Sequence, residues 1–130
     1  MSKIKILFID DEEPILDALK RSLRKLPYNM VFEKNPLHAL KLLENEEFNI
    51  VVSDHKMPGI TGTVLFTLIK ESYPQIIRIL MSGFADMSIM VEAINNSEVF
   101  RFIPKPWKNE DLNSIILEAV ECCSNQNRTD

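Results

Sequence analysis

Short β-branched runs alternate with longer amphipathic stretches five times along this chain, and that alternation leaves few folds open. Lys3-Ile4-Lys5-Ile6-Leu7-Phe8-Ile9, Asn49-Ile50-Val51-Val52-Ser53, Ile76-Ile77-Arg78-Ile79-Leu80-Met81 and Val99-Phe100-Arg101-Phe102-Ile103 read as strands. Met30-Val31-Phe32 is a weaker fifth. Several of these runs are apolar throughout, which a sheet covered on both faces requires. Between them, Ile15, Leu16, Leu19, Leu23 and Leu26 recur at helical spacing after Pro14, and Pro27 closes the segment. Asn35 and Pro36 open a second helix carrying Leu37, Ala39, Leu40 and Leu43. Val64, Leu65, Leu68 and Ile69 mark a third, ended near Pro74, and Met87, Met90, Val91 and Ile94 a fourth. Leu112, Ile115, Ile116, Ala119 and Val120 mark the fifth, starting near Lys108 or Asn109.

Strands joined by helical crossovers run parallel, so the expected fold is α/β, a doubly wound five-stranded parallel sheet with five helices. One domain spans residues 1–123, and the polar stretch 124–130 reads as an unstructured tail or the start of a linker. A chain of 130 residues builds a core of its own, and 45% hydrophobic with 26% charged residues is ordinary for a globular protein. The net charge of -4 argues against direct nucleic-acid binding, which wants a basic face. The apolar runs are too short to span a membrane, and Lys3 and Lys5 lead into no signal peptide, so the expected location is the cytoplasm. Cys122 and Cys123 are neighbours and read as one packed and one exposed free thiol.

Open α/β sheets bind ligands beyond the carboxyl ends of their strands. Asp10, Asp11 and Glu12 follow the first strand, Asp54 the third, Ser82 the fourth and Lys105 the fifth. Crowded carboxylates repel unless a cation is present, and hard oxygen ligands suit Mg²⁺. A carboxylate such as Asp54 can also attack phosphorus, giving an acyl phosphate, while Lys105 and Ser82 bind the other oxygens. Each residue has a plainer reading: Asp10 and Asp11 as helix-capping acids, Asp54 and Ser82 as turn residues, Phe102 as packing. His38 and His55 read as surface residues, and Met87 and Met90 as helix packing.

The chain resembles the receiver domain of two-component response regulators, from about Lys3 to Val120. The resemblance is carried by Phe8-Ile9-Asp10-Asp11-Glu12, Ser53-Asp54-His55-Lys56-Met57-Pro58-Gly59-Ile60-Thr61-Gly62, Leu80-Met81-Ser82-Gly83 and Ile103-Pro104-Lys105-Pro106-Trp107. It implies a flavodoxin-like sheet of order 2-1-3-4-5 and Mg²⁺-dependent phosphorylation by a histidine kinase or histidine phosphotransfer protein. Asp54 is then the phosphoacceptor, and Asp10, Asp11, Asp54 and the main-chain carbonyl of Lys56 the metal ligands. Ser82 is the switch hydroxyl, Lys105 the phosphate-pairing lysine and Phe102 the switch aromatic.

The face around the fourth helix and fifth strand would engage an output domain, a partner protein or a second copy in a homodimer. No enzymatic activity beyond loss of its own phosphate is implied. Thr61 departs from the Asp or Asn frequent before the glycine, and Phe102 from the frequent Tyr. Lys56 and Phe84 hold the variable positions that flank the phosphoryl group. The Lys-Pro-Trp ending resembles receivers joined to enzymatic or hydrolase-type outputs. Two other functions compete. A phosphatase or phosphotransferase of haloacid-dehalogenase type needs an acid two positions after the nucleophile, where Lys56 stands. A scaffold that is never phosphorylated has no need of Asp54, Asp11 and Lys105 together.

Overall fold

Alternation along the strands divides the buried side chains into two layers, one on each face of a single sheet. The computed structural model describes residues 3–83, 86–96 and 99–128. Five β-α units follow in order: β1 (Lys5–Ile9), α1 (Glu13–Leu23), β2 (Asn29–Glu33), α2 (Pro36–Asn45) and β3 (Ile50–Asp54). Then come α3 (Gly62–Ser72), β4 (Ile77–Ser82), α4 (Met87–Asn95), β5 (Arg101–Pro104) and α5 (Asn109–Arg128). All strand pairings are parallel, as the alternating pattern implied, and the order is β2-β1-β3-β4-β5, as the resemblance implied.

Ile6 and Phe8 of β1 pack with Leu16, Leu19 and Leu23 of α1 and Leu112, Ile116 and Ala119 of α5. Leu7 and Ile9 point the other way, into a layer with Ala39, Leu43, Leu65, Phe66, Ile69 and Met90 from α2, α3 and α4. The central strand β3 is buried along its whole length. This two-sided cover is why its sequence is almost continuously apolar until Ser53 and Asp54.

Local signals act as anticipated at several ends. The Asn35 side chain accepts from the Leu37 and His38 amides and caps α2, with Pro36 in its first turn. Thr61 caps α3 by accepting from the Val64 amide. Cys123 is buried and Cys122 half-buried, and both are free thiols.

Other expectations need correction. The backbone of 124–128, taken as an unstructured tail, continues α5 through Arg128. His55 is buried rather than at the surface, because it directly follows the most covered strand. Val64, Leu68, Met87 and Val91 face outward. In α3 the sheet takes the expected Leu65 and Ile69 together with Phe66, and in α4 the expected Met90 together with Ala93. A helix with apolar residues on more than half its circumference does not reveal from periodicity which arc meets the sheet.

Gly62 shows how closely α3 approaches β3. A Cβ there would lie 2.5 Å from the Asp54 carbonyl oxygen and 2.7 Å from Leu80 Cδ1. A Cβ on Gly83 would meet nothing within 4 Å. Gly62→Ala should therefore cost about 2 kcal/mol in denaturant unfolding, whereas Gly83→Ala should stay within about 0.5 kcal/mol of the parent. Equal stability of the two variants would contradict this packing.

Candidate functional site

Four of the five strands deliver a charged or hydroxyl side chain to one rim. Asp54 ends β3, Ser82 ends β4, and Asp10 immediately follows β1. All three are buried. The fourth contributor, Lys105, follows β5 and is anchored by its amide, which donates to the Ser82 carbonyl at 2.9 Å. Its bond to Pro106 is cis.

Lys105 organises the rim. Its Nζ lies 2.8 Å from Asp10 Oδ2 and 3.0 Å from Asp54 Oδ1, so it bridges two carboxylates rather than pairing with Asp54 alone. The other oxygen of Asp10 accepts the Glu12 amide at 2.9 Å, which fixes that carboxylate at both ends. This bond partly realises the capping role considered for Asp10, although Glu12 itself is the N-cap of α1. Asp11 is more open than its two neighbours, and one oxygen from each of Asp10, Asp11 and Asp54 falls within 4.8 Å of the others. Hard oxygens at that spacing fit a divalent cation of the Mg²⁺ kind, which takes one or two carboxylates and keeps open positions for other oxygens.

Burial raises the Asp54 carboxyl above its ordinary 3.8, with Asp10 adding to the effect and Lys105 opposing it. Burial works to lower Lys105, yet the hydrogen bonds it donates to both carboxylates leave it above its ordinary 10.5. The site thus keeps its ammonium charged and makes its central carboxylate costly to ionise.

The remaining candidates lie around this centre. Ser82 Oγ donates not toward Asp54 but to Asp86 Oδ2 at 2.8 Å. The Lys56 side chain is in solvent, with Nζ 3.7 Å from Asp86 Oδ1. Phe102 is half-buried, paired in register with Leu80 and packed into the layer beneath α4. Phe84 lies outside the described residues. Asp86 is not among the residues the sequence singled out, and His55, expected at the surface, carries a buried Nδ1 without a hydrogen-bond partner among the described residues. An acid immediately before an amphipathic run is an ordinary N-cap signal, which places Asp86 at a helix start and says nothing of its turn toward Ser82. No helix among the described residues is long and apolar enough to cross a membrane.

Comparison with known proteins places the fold in a family. The family pattern of the response regulator receiver domain matches residues 6–117. The hydrogenase transcriptional regulatory protein HoxA of Cupriavidus necator is 30% identical over 89% of this chain. The chain spans only about a quarter of that relative, 24% of its length. Among solved structures, the signal receiver domain of an HD domain-containing protein from Pseudomonas fluorescens Pf-5 superposes with a TM-score of 0.90 at 32% identity, covering 98% of this chain and 94% of that one. A CheY-like receiver domain from Methanospirillum hungatei gives 0.87 at 29% identity, covering 96% and 99%.

The raised Asp54 carboxyl has a consequence for stability. Folding tightens its hold on a proton, so the ionised form is a cost in full above the raised pKa, relieved as pH falls toward 3.8. Asp54→Asn keeps the shape and removes that cost. In metal-free buffer the variant should melt higher than the parent at pH 7, with the difference shrinking as the pH is lowered toward 4. A parent that melts higher at neutral pH would contradict the assigned direction.

Proposed function

The chain belongs to the response regulator receiver family, and on that premise we propose that it is a phosphoacceptor switch of a two-component system with Asp54 as nucleophile. Asp54 Oδ would attack the phosphorus of a phosphohistidine on a kinase or phosphotransfer protein. The new O–P bond forms as the P–N bond breaks, and the histidine nitrogen leaves. The observation that carries this reading is the Lys105 ammonium, 2.8 Å from Asp10 and 3.0 Å from Asp54, beside a three-carboxylate cluster.

In this reading Asp10, Asp11, Asp54 and the Lys56 carbonyl hold Mg²⁺, which would offset the charge of the transferring phosphoryl group when bound. Lys105 keeps a cation against the same oxygens, and its raised pKa supports a full charge at neutral pH. Ser82 supplies a further donor and Phe102 transmits the rearrangement toward α4 and β5. That face would engage an output domain, a partner or a second copy. The curated relatives are transcriptional regulators about four times as long as this chain, and the HD-domain protein offers a different output, so several outputs fit the fold. The chain would turn over no substrate beyond its own acyl phosphate, in keeping with a cytoplasmic signalling role.

Acetyl phosphate with Mg²⁺ should add one phosphoryl group to the parent by mass and none to Asp54→Asn. Continuous hydrolysis of phosphomonoesters would favour a phosphatase, and no reaction a scaffold. Lys105→Ala should still accept phosphate, about tenfold more slowly from loss of one charge-assisted contact. In that variant the amide NMR shifts around 99–103 that a phosphoryl mimic induces in the parent should be largely absent. Full shifts in Lys105→Ala would remove Lys105 from the coupling role.

A further inference from the structure

Asp86 lies outside the acidic rim, yet it is buried, at 8% exposure. It stands at the N-cap of α4, where a carboxylate ordinarily accepts from the first free amides of the helix. Here the side chain makes no such capping bond. It turns inward instead. Oδ2 accepts the Ser82 hydroxyl at 2.8 Å and Oδ1 faces the Lys56 ammonium at 3.7 Å. One carboxylate thus ties the last residue of β4 and the second residue beyond Asp54 to the start of α4.

A serine hydroxyl carries one proton. While Ser82 donates to Asp86 it cannot donate to an oxygen on Asp54. The bond to a carboxylate is also about twice as strong as one to a neutral acceptor. We propose that Asp86 is a positioning residue that holds the Ser82 hydroxyl on α4, so that a phosphoryl group on Asp54 gains its Ser82 contact only by breaking the Ser82–Asp86 bond. This rests on the receiver reading of Asp54 and adds to it the resting partner against which the phosphoryl group competes. Its consequence is mechanical. Once Ser82 leaves, the carboxylate at the head of α4 loses its tether to β4, and the helix start is free to move.

The test is the affinity of beryllofluoride, a phosphoryl mimic, measured by titration with Mg²⁺ present and followed by amide NMR. Asp86→Asn keeps the side-chain shape and replaces a charged acceptor by a neutral one, so binding should tighten about fivefold over the parent. Asp86→Ser, with a shorter side chain that still suits an N-cap, should tighten it as well. In a Ser82→Ala background Asp86→Asn should change nothing, because the competition has been removed. A gain arising merely from loss of negative charge near the site would persist in that background and overturn the proposal, as would unchanged or weaker binding by both Asp86 variants. Failure of the parent itself to bind beryllofluoride would instead overturn the reading of Asp54 on which the proposal rests.

Discussion

Two buried carboxylates sharing one lysine set the terms for everything at the strand ends. Asp10 is fully buried and Asp54 nearly so, and each gives up hydration at a cost that a nearby cation or donor offsets. Lys105 supplies the cation from the far side of the sheet, 95 residues away from Asp10 in sequence. Holding it there requires β5 in register beside β4 and the Lys105 amide on the Ser82 carbonyl. With Asp11 beside that pair, three carboxyl groups gather oxygens within reach of one another, the donor set a divalent cation takes. Sheet order, register and electrostatics are therefore one constraint seen at three scales.

The fold was legible because its signals are strong and mutually consistent. Five apolar runs, each followed by an amphipathic one, admit little besides a parallel doubly wound sheet, and Asn35, Pro14 and Pro36 mark helix starts unambiguously. Strand order was not contained in that pattern; it came from the resemblance. What periodicity failed to resolve was orientation. Val64 and Leu68 sit at the same helical spacing as Leu65 and Ile69, and only the position of the sheet separates the exposed pair from the buried one. The continuation of α5 from Ser124 was missed because composition judges solvation, whereas a helix already held on the sheet by Leu112, Ile116, Ala119 and Cys123 extends through polar residues at little cost.

At the site, residues at strand ends could be found from topology alone, since a parallel sheet collects its carboxyl ends on one rim. Asp10, Asp54, Ser82 and Lys105 were legible for that reason. Partner choice was not. That Lys105 bridges Asp10 and Asp54, and that Ser82 turns to Asp86, depends on side-chain directions separated by distances of a few ångströms. Asp86 escaped because a helix-capping acid is commonplace in sequence, and only its burial and its missing capping bond mark it out.

The central claim is that Asp54 becomes an acyl phosphate, and its most direct measurement is chemical. Borohydride reduces an aspartyl phosphate to homoserine and leaves an unmodified carboxylate alone. After exposure to acetyl phosphate and Mg²⁺, reduction followed by peptide mass mapping should place homoserine at position 54, with aspartate intact at positions 10 and 11. Phosphate that resists reduction, or homoserine at position 10 or 11 in place of 54, would contradict the account.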